Sequence, residues 1–188
     1  MRRILTIGHS NHPFERFLEL LQRHSIEQLA DIRRFPGSRK HPHFNREALQ
    51  EALARHGIAY RWIEALGGRR KATTTETPDN LAWRNASFRN YADYMQTEEF
   101  QAGIQTLIQE ASARPTAMMC AEGLWWQCHR RIVSDYLAAQ GVTVEHIMPD
   151  GQLKPHVLTP GAVVADGRVT CSEILVRPRV ICGVRVDF

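Results

Sequence analysis

Long apolar runs are missing from this sequence, and with them any helix able to cross a membrane. No uncharged stretch approaches the ~18 residues that such a helix needs. The apolar residues Ile4-Leu5-Thr6-Ile7 behind Met1-Arg2-Arg3 stop at Gly8-His9, too early for the core of a secretion signal. Internal repeats and low-complexity tracts are also missing, which excludes solenoid arrays and disordered linkers. Cysteine is scarce, with residues 120, 128, 171 and 182 and no signal for an oxidising compartment, so a disulfide framework is not expected. The expectation is a soluble cytoplasmic protein with no membrane partner. Its 188 residues, 43% of them hydrophobic, suffice to bury a core as a single domain over 1–188.

Charge is present but unevenly spread. Residues 1–75 hold fourteen Lys and Arg against seven Asp and Glu, a net of +7. Residues 76–188 hold ten against thirteen, a net of −3. A basic half suits an anionic partner, either a phosphate-bearing small molecule such as a nucleotide or a nucleic acid. The plain alternative is a solvated face that keeps the protein soluble. Neither bears on oligomeric state.

Strand and helix signals alternate along the chain. Apolar runs at Ile4–Gly8, Leu29–Ile32, Ile58–Ile63, Thr116–Cys120 and Val142–Ile147 suit buried strands. Between them, Phe14, Phe17, Leu18 and Leu21 keep helical spacing after a cap at Ser10 or Asn11. Asn45 can cap a helix bearing Leu49 and Leu53 that ends at Gly57, and Thr97 one bearing Phe100, Ile104, Leu107 and Ile108. Ile132, Val133, Tyr136 and Leu137 mark a further helix, residues 67–87 read as a long loop or lid, and Asp166-Gly167 signals a hairpin. The expected fold is α/β: a mainly parallel sheet with helices on both faces, Rossmann-like in three layers, over 1–160, with a short C-terminal β-hairpin in a strand-rich tail over 161–188.

In such a sheet, ligands bind beyond the carboxyl ends of the strands. Those ends carry His9 and Ser10, then Arg33, Ser38, Arg39 and Lys40, then Gly67, Gly68, Arg69, Arg70 and Lys71. The fourth carries Cys120 and Glu122, with Cys128, His129 and Arg130 at the next helix start. Parallel strands bring these residues to one edge.

Several of these stretches resemble the DUF488 family. They are Thr6-Ile7-Gly8-His9-Ser10, Asp31-Ile32-Arg33 with Pro36 and Ser38-Arg39, Phe44-Asn45, Leu66-Gly67-Gly68, Phe88-Arg89-Asn90-Tyr91-Ala92, and Met119-Cys120-Ala121-Glu122 with Cys128-His129-Arg130. The resemblance runs through roughly residues 4–160 and implies a shared fold and site rather than a reaction. Some members of similar length carry DNA-repair or iron–sulfur assembly labels.

The chemistry of the residues allows three readings. Cys120, at a strand end facing a helix start with His129 and Arg130 near, is expected to be a nucleophile or redox thiol of depressed pKa, with Cys128 resolving it; the alternative is two inert buried thiols. Glu122, His129 and His9 are the acid–base candidates, set against ion-pair or structural roles. Ser10, Arg33, Ser38, Arg39, Arg130, Gly67 and Gly68 are candidates for holding phosphate. A nucleic-acid module would use Lys40, Arg69, Arg70, Lys71 and Trp125. A metal- or sulfur-handling role for Cys120 and Cys128 is the third reading. Seven residues separate them, against the two to four of a zinc knuckle, so no metal or other cofactor is expected.

Overall fold

The computed structural model describes residues 2–71, 80, 85–165 and 168–171. Strands β1 (Arg3–Gly8), β2 (Gln28–Asp31), β3 (Ala59–Trp62), β4 (Thr116–Cys120) and β5 (Thr143–Ile147) run parallel in one sheet. A sixth strand, β6 (Leu153–Pro155), joins antiparallel at the β5 edge, giving the order β3-β2-β4-β1-β5-β6. Five helices accompany the sheet: α1 (Phe14–Arg23), α2 (Arg46–Ala54), α3 (Ala86–Tyr94), α4 (Glu98–Ala113) and α5 (Arg130–Ala139). A separate antiparallel pair, β7 (Ala162–Ala165) and β8 (Arg168–Cys171), flanks the expected turn, which itself lies outside the described residues. None of the described helices is long and apolar enough to cross a membrane.

The alternation of side chains across each strand divides the core in two. Leu5 and Ile7 of β1 pack with Phe17 and Leu21 of α1 and Leu49 and Leu53 of α2. Ile4 joins the opposite cluster, with Phe100, Ile104 and Leu107 of α4 and Ile132, Val133 and Leu137 of α5. Each buried Leu, Ile or Phe contributes roughly 1.5–3 kcal/mol relative to exposure. Both faces of β1, β2 and β4 are therefore dry, as parallel strands require.

Local sequence signals and the structure agree at some element ends and differ at others. Gly57 ends α2 at φ +73, as its sequence position predicts, and Thr97 Oγ1 accepts the Phe100 N–H at 3.3 Å to cap α4. Helix α1, by contrast, starts behind Pro13, with neither Ser10 nor Asn11 capping it. Asn45 precedes α2, but its Oδ1 accepts the Ser38 N–H at 2.6 Å and ties the 36–45 loop instead. The stretch 67–87, read as loop or lid, gives way at its end to α3, capped by Asn85 Oδ1 accepting the Ser87 N–H at 2.8 Å. Most of the lid expectation (72–79 and 81–84) lies outside the described residues.

Candidate active site

The carboxyl ends of β1, β2 and β4 lie side by side, with Gly8 opposite Cys120 and Asp31 opposite Met119. Pairing continues past the strands, since His9 N–H donates to Cys120 O at 3.0 Å and Ser10 N–H to Ala121 O at 2.8 Å. The absence of a side chain at Gly8 is what lets the 121–128 loop fold back here: a Cβ would lie 1.8 Å from the Glu122 carbonyl oxygen. Above these ends opens a cleft of about 840 Å³. His9, Ser10, Arg33, Ser38, Lys40, Gly68, Arg69, Cys120, Glu122, Cys128 and His129 all line it.

A thiol pair and one imidazole form its floor. His129 Nε2 donates to Ile32 O at 3.0 Å, which turns Nδ1 toward both sulfurs, 3.6 Å from Cys120 and 3.5 Å from Cys128. Nδ1 can accept a thiol proton or, in the imidazolium, donate to a thiolate. Room for this contact depends on Gly68, where a Cβ would stand 2.8 Å from Nδ1. The three donor atoms lie within 4.8 Å of one another, a set that could hold a metal ion.

The two thiols are not equivalent. Cys128 Sγ accepts the Arg130 backbone N–H at 3.4 Å, at the N-terminus of α5. Burial pushes the Cys128 thiol up, but the Cys120 hydrogen bond, the His129 ring and the Arg130 charge outweigh it and hold Cys128 well below the ordinary thiol range. Cys120 moves the other way, pushed up by its hydrogen bond to Cys128, by burial and by the neighbouring sulfur's charge. The lowered thiol expected at Cys120 falls instead at Cys128, because the hydrogen bond between the sulfurs raises Cys120 and lowers Cys128, and the His129 ring lowers Cys128.

Arg130 acts on both thiols in the same sense, its charge lowering each. Its side chain is 1% exposed, does not line the cleft, and donates from Nη2 to the carbonyls of Glu122 and Gly123. Its Nε is buried without a hydrogen-bond partner, and among the described residues it makes no ion pair with a carboxylate. A guanidinium cannot shed its proton, and a buried uncompensated cation is costly. A thiolate on either neighbouring sulfur would offset it. Arg130 is therefore a buried cation beneath the thiols rather than a phosphate grip, and it leaves Glu122's carboxylate exposed.

Across the cleft, Asp31 holds Arg33 through Nε at 2.9 and 3.0 Å and also accepts the Tyr60 hydroxyl at 2.7 Å. Burial, the Asp31 carboxylate and its hydrogen bond push the Tyr60 hydroxyl up. Arg33 Nη1 lies 3.4 Å from His9 Nε2, while His9 Nδ1 donates to Ser10 O at 2.9 Å. Burial and the Arg33 charge lower His9 to about 4, so it is neutral at pH 7. Its Nε2 is then an acceptor toward Arg33.

Other expected residues fall elsewhere. Arg39 and Lys71 are exposed but off the cleft wall, and Gly67 packs on the Arg34 backbone. Arg70 is spent on the fold: it donates to the carbonyls of Glu64, Ala65 and Gly67, covers the Tyr94 ring at 3.6 Å and faces Glu99. Trp125 stacks on His146 at 4.1 Å instead of covering a ligand, and Trp126 is the exposed indole at 38%. Asn85 and Ser87, neither of them expected from the sequence, also line the cleft, as do Phe88 and Tyr91 from a stretch given only as a family resemblance. The spacing of Phe88, Tyr91, Ala92 and Met95 behind a capping Asn85 would have revealed the helix that delivers them.

A parallel α/β sheet with a thiol pair set into a cationic cleft at its strand ends is the class these features define. The chain belongs to the family described as Domain of unknown function DUF488, whose model matches residues 13–137. Neither the curated proteins nor the solved structures yield a match.

Proposed function

We propose that this protein is a cysteine-dependent enzyme acting on a phosphate-bearing ligand, with Cys128 as the nucleophilic thiolate. The observation that carries the reading is the buried Arg130 cation without a carboxylate partner, beneath a sulfur that accepts a helix N-terminal N–H. Cleft charge supports the ligand class: Arg33, Arg34, Lys40 and Arg69 line it against Glu122 as the single acidic residue among the described lining. In the step available, Cys128 Sγ bonds to an electrophilic atom of the ligand as that atom's bond to a leaving oxygen breaks. The oxygen keeps the electron pair and takes the Cys120 proton. Water then displaces Sγ, its proton returns to Cys120, and the Cys128 thiolate is restored.

Alkylation by iodoacetamide as a function of pH tests this on wild type, Cys128→Ala and Cys120→Ala. The expected midpoint lies well below the ~8.5 of a free thiol, vanishes in Cys128→Ala, survives in Cys120→Ala, and is suppressed by deoxyribose 5-phosphate. A midpoint at the free-thiol value, indifferent to that phosphate ester, overturns the reading. The three convergent donor atoms favour a second reading, a metal- or sulfur-handling site. One zinc per chain in freshly purified protein, with thiols protected until a chelator is added, would shift the assignment to it.

A further inference from the structure

One aromatic side chain in the cleft has no role in the fold. Phe35 is 66% exposed, yet it lines a cavity that also holds Arg33, Arg34, Lys40 and Arg69. The apolar cores on both faces of the sheet are complete without it. Two cations share this cleft unengaged. Among the described residues, neither Lys40 nor Arg69 forms an ion pair, whereas Arg33 is held by Asp31 and Arg34 by Glu64. Arg69 also sits at φ +57. Positive φ is strained for a side chain as large as arginine's, and such strain concentrates where ligands are handled. Ser10, at φ +48, is a second such residue in the same cleft.

From this juxtaposition we infer that the ligand is a nucleoside phosphate, its base stacked on Phe35 and its phosphate met by Lys40 and Arg69. The inference rests on the phosphate-bearing ligand proposed above and adds the base. An exposed ring beside free cations is the combination that nucleotides satisfy: every base offers a π face, and stacking tolerates sequence. A sugar phosphate would use the cations and leave Phe35 in water. The same chemistry is presented by a free nucleotide and by a single strand.

Binding of thymidine 5′-monophosphate, a short oligothymidylate and deoxyribose 5-phosphate to the full chain tests it, with wild type, Phe35→Ala, Phe35→Leu and Phe35→Trp. The expected result is that Phe35→Ala weakens both base-bearing ligands by roughly 5- to 150-fold, the range that base–aromatic stacking supplies. Deoxyribose 5-phosphate is unaffected, Phe35→Trp retains wild-type affinity, and Phe35→Leu behaves as alanine. Tighter, steeply salt-dependent binding of the oligothymidylate identifies a strand as the source; equal binding identifies the free nucleotide. Wild-type affinity for all three ligands in Phe35→Ala overturns the inference and leaves the thiol reading standing. If deoxyribose 5-phosphate neither binds nor shields Cys128, the underlying reading fails and takes the inference with it.

Discussion

The protein holds two buried polar clusters, and they are finished to different degrees. Under α5, Thr6, His146, His156, Asp135 and Thr159 form a closed chain. Thr6 Oγ1 lies 2.8 Å from His146 Nδ1, His146 Nε2 3.0 Å from His156 Nδ1, and His156 Nε2 2.9 Å from Asp135 Oδ1. Thr159 donates its N–H and hydroxyl to the same carboxylate at 2.8 and 2.6 Å, and Arg131 Nε donates to Thr159 Oγ1 at 2.8 Å. With Asp135 as terminal acceptor, each ring can donate from Nε2 in the same direction. At the strand ends the bookkeeping is left open: Arg130 has no carboxylate, Lys40 and Arg69 no ion-pair partner, and two residues sit at positive φ. Satisfied polar networks make structure; incomplete ones are where a ligand or a reactive anion has work left.

The largest effect expected from breaking this contrast is on the closed side. Asp135→Ala strands His156 Nε2 and the Thr159 donors in a setting where the His156 and Asp135 side chains are 1% exposed. A loss of about 3–5 kcal/mol in urea unfolding is expected, while Cys128 in the folded protein keeps its low alkylation midpoint. A loss under ~1 kcal/mol would mean that water fills the place.

A somewhat smaller effect follows from the titration of His9 alone. Folding lowers His9 from 6.5 to about 4, and His146 to about 3, through burial first, with Arg33 acting on His9 and His156 and Arg130 on His146. The unfolded chain then binds more protons than the native one below pH 6.5, so stability is complete above that value and falls as pH drops. His9's share is lost by about pH 4 and is on the order of 3 kcal/mol at ~1.4 kcal/mol per unit; His146 extends the fall toward pH 3. Unfolding free energies for wild type and His9→Phe between pH 7 and 4 check this, the variant showing a shallower decline. Parallel curves would remove His9 from the account.

The smallest effect sharpens the comparison from the open side. Arg69→Gly relieves a positive φ at an exposed residue, so thermal stability holds or rises by less than about 1 kcal/mol while affinity for thymidine 5′-monophosphate falls. A clear loss of stability would show that Arg69 supports the fold after all.

What the sequence disclosed follows from what a local pattern can encode. Alternating apolar runs reveal parallel strands, and parallel strands place Cys120, Arg33 and His9 at one rim whatever their side chains do. Helix α3 escaped because its buried face is Tyr91, Ala92 and Tyr94, interleaved with polar residues and lacking the aliphatic repeat of α4. Strand β6 is three residues ending in proline, tolerable at an edge and hardly visible as a strand. Which sulfur is lowered depends on the hydrogen bond between the two thiols and on where the His129 ring lies. Trp125's partner lies at His146, across a loop, a helix and a strand. Such facts belong to packing, and no spacing rule carries them.

The stretch matched by the family model ends at residue 137, just short of completing α5. Yet β1, which begins before that stretch, and β5, which follows it, are adjacent in the sheet, and Trp125 rests on a β5 imidazole. Excising 13–137 as a fragment would remove the strand from the middle of the sheet together with the ring on which the cysteine loop leans. The boundaries of resemblance are therefore not boundaries of a body able to stand alone, and any minimal version of this site has to retain its flanks through Thr159.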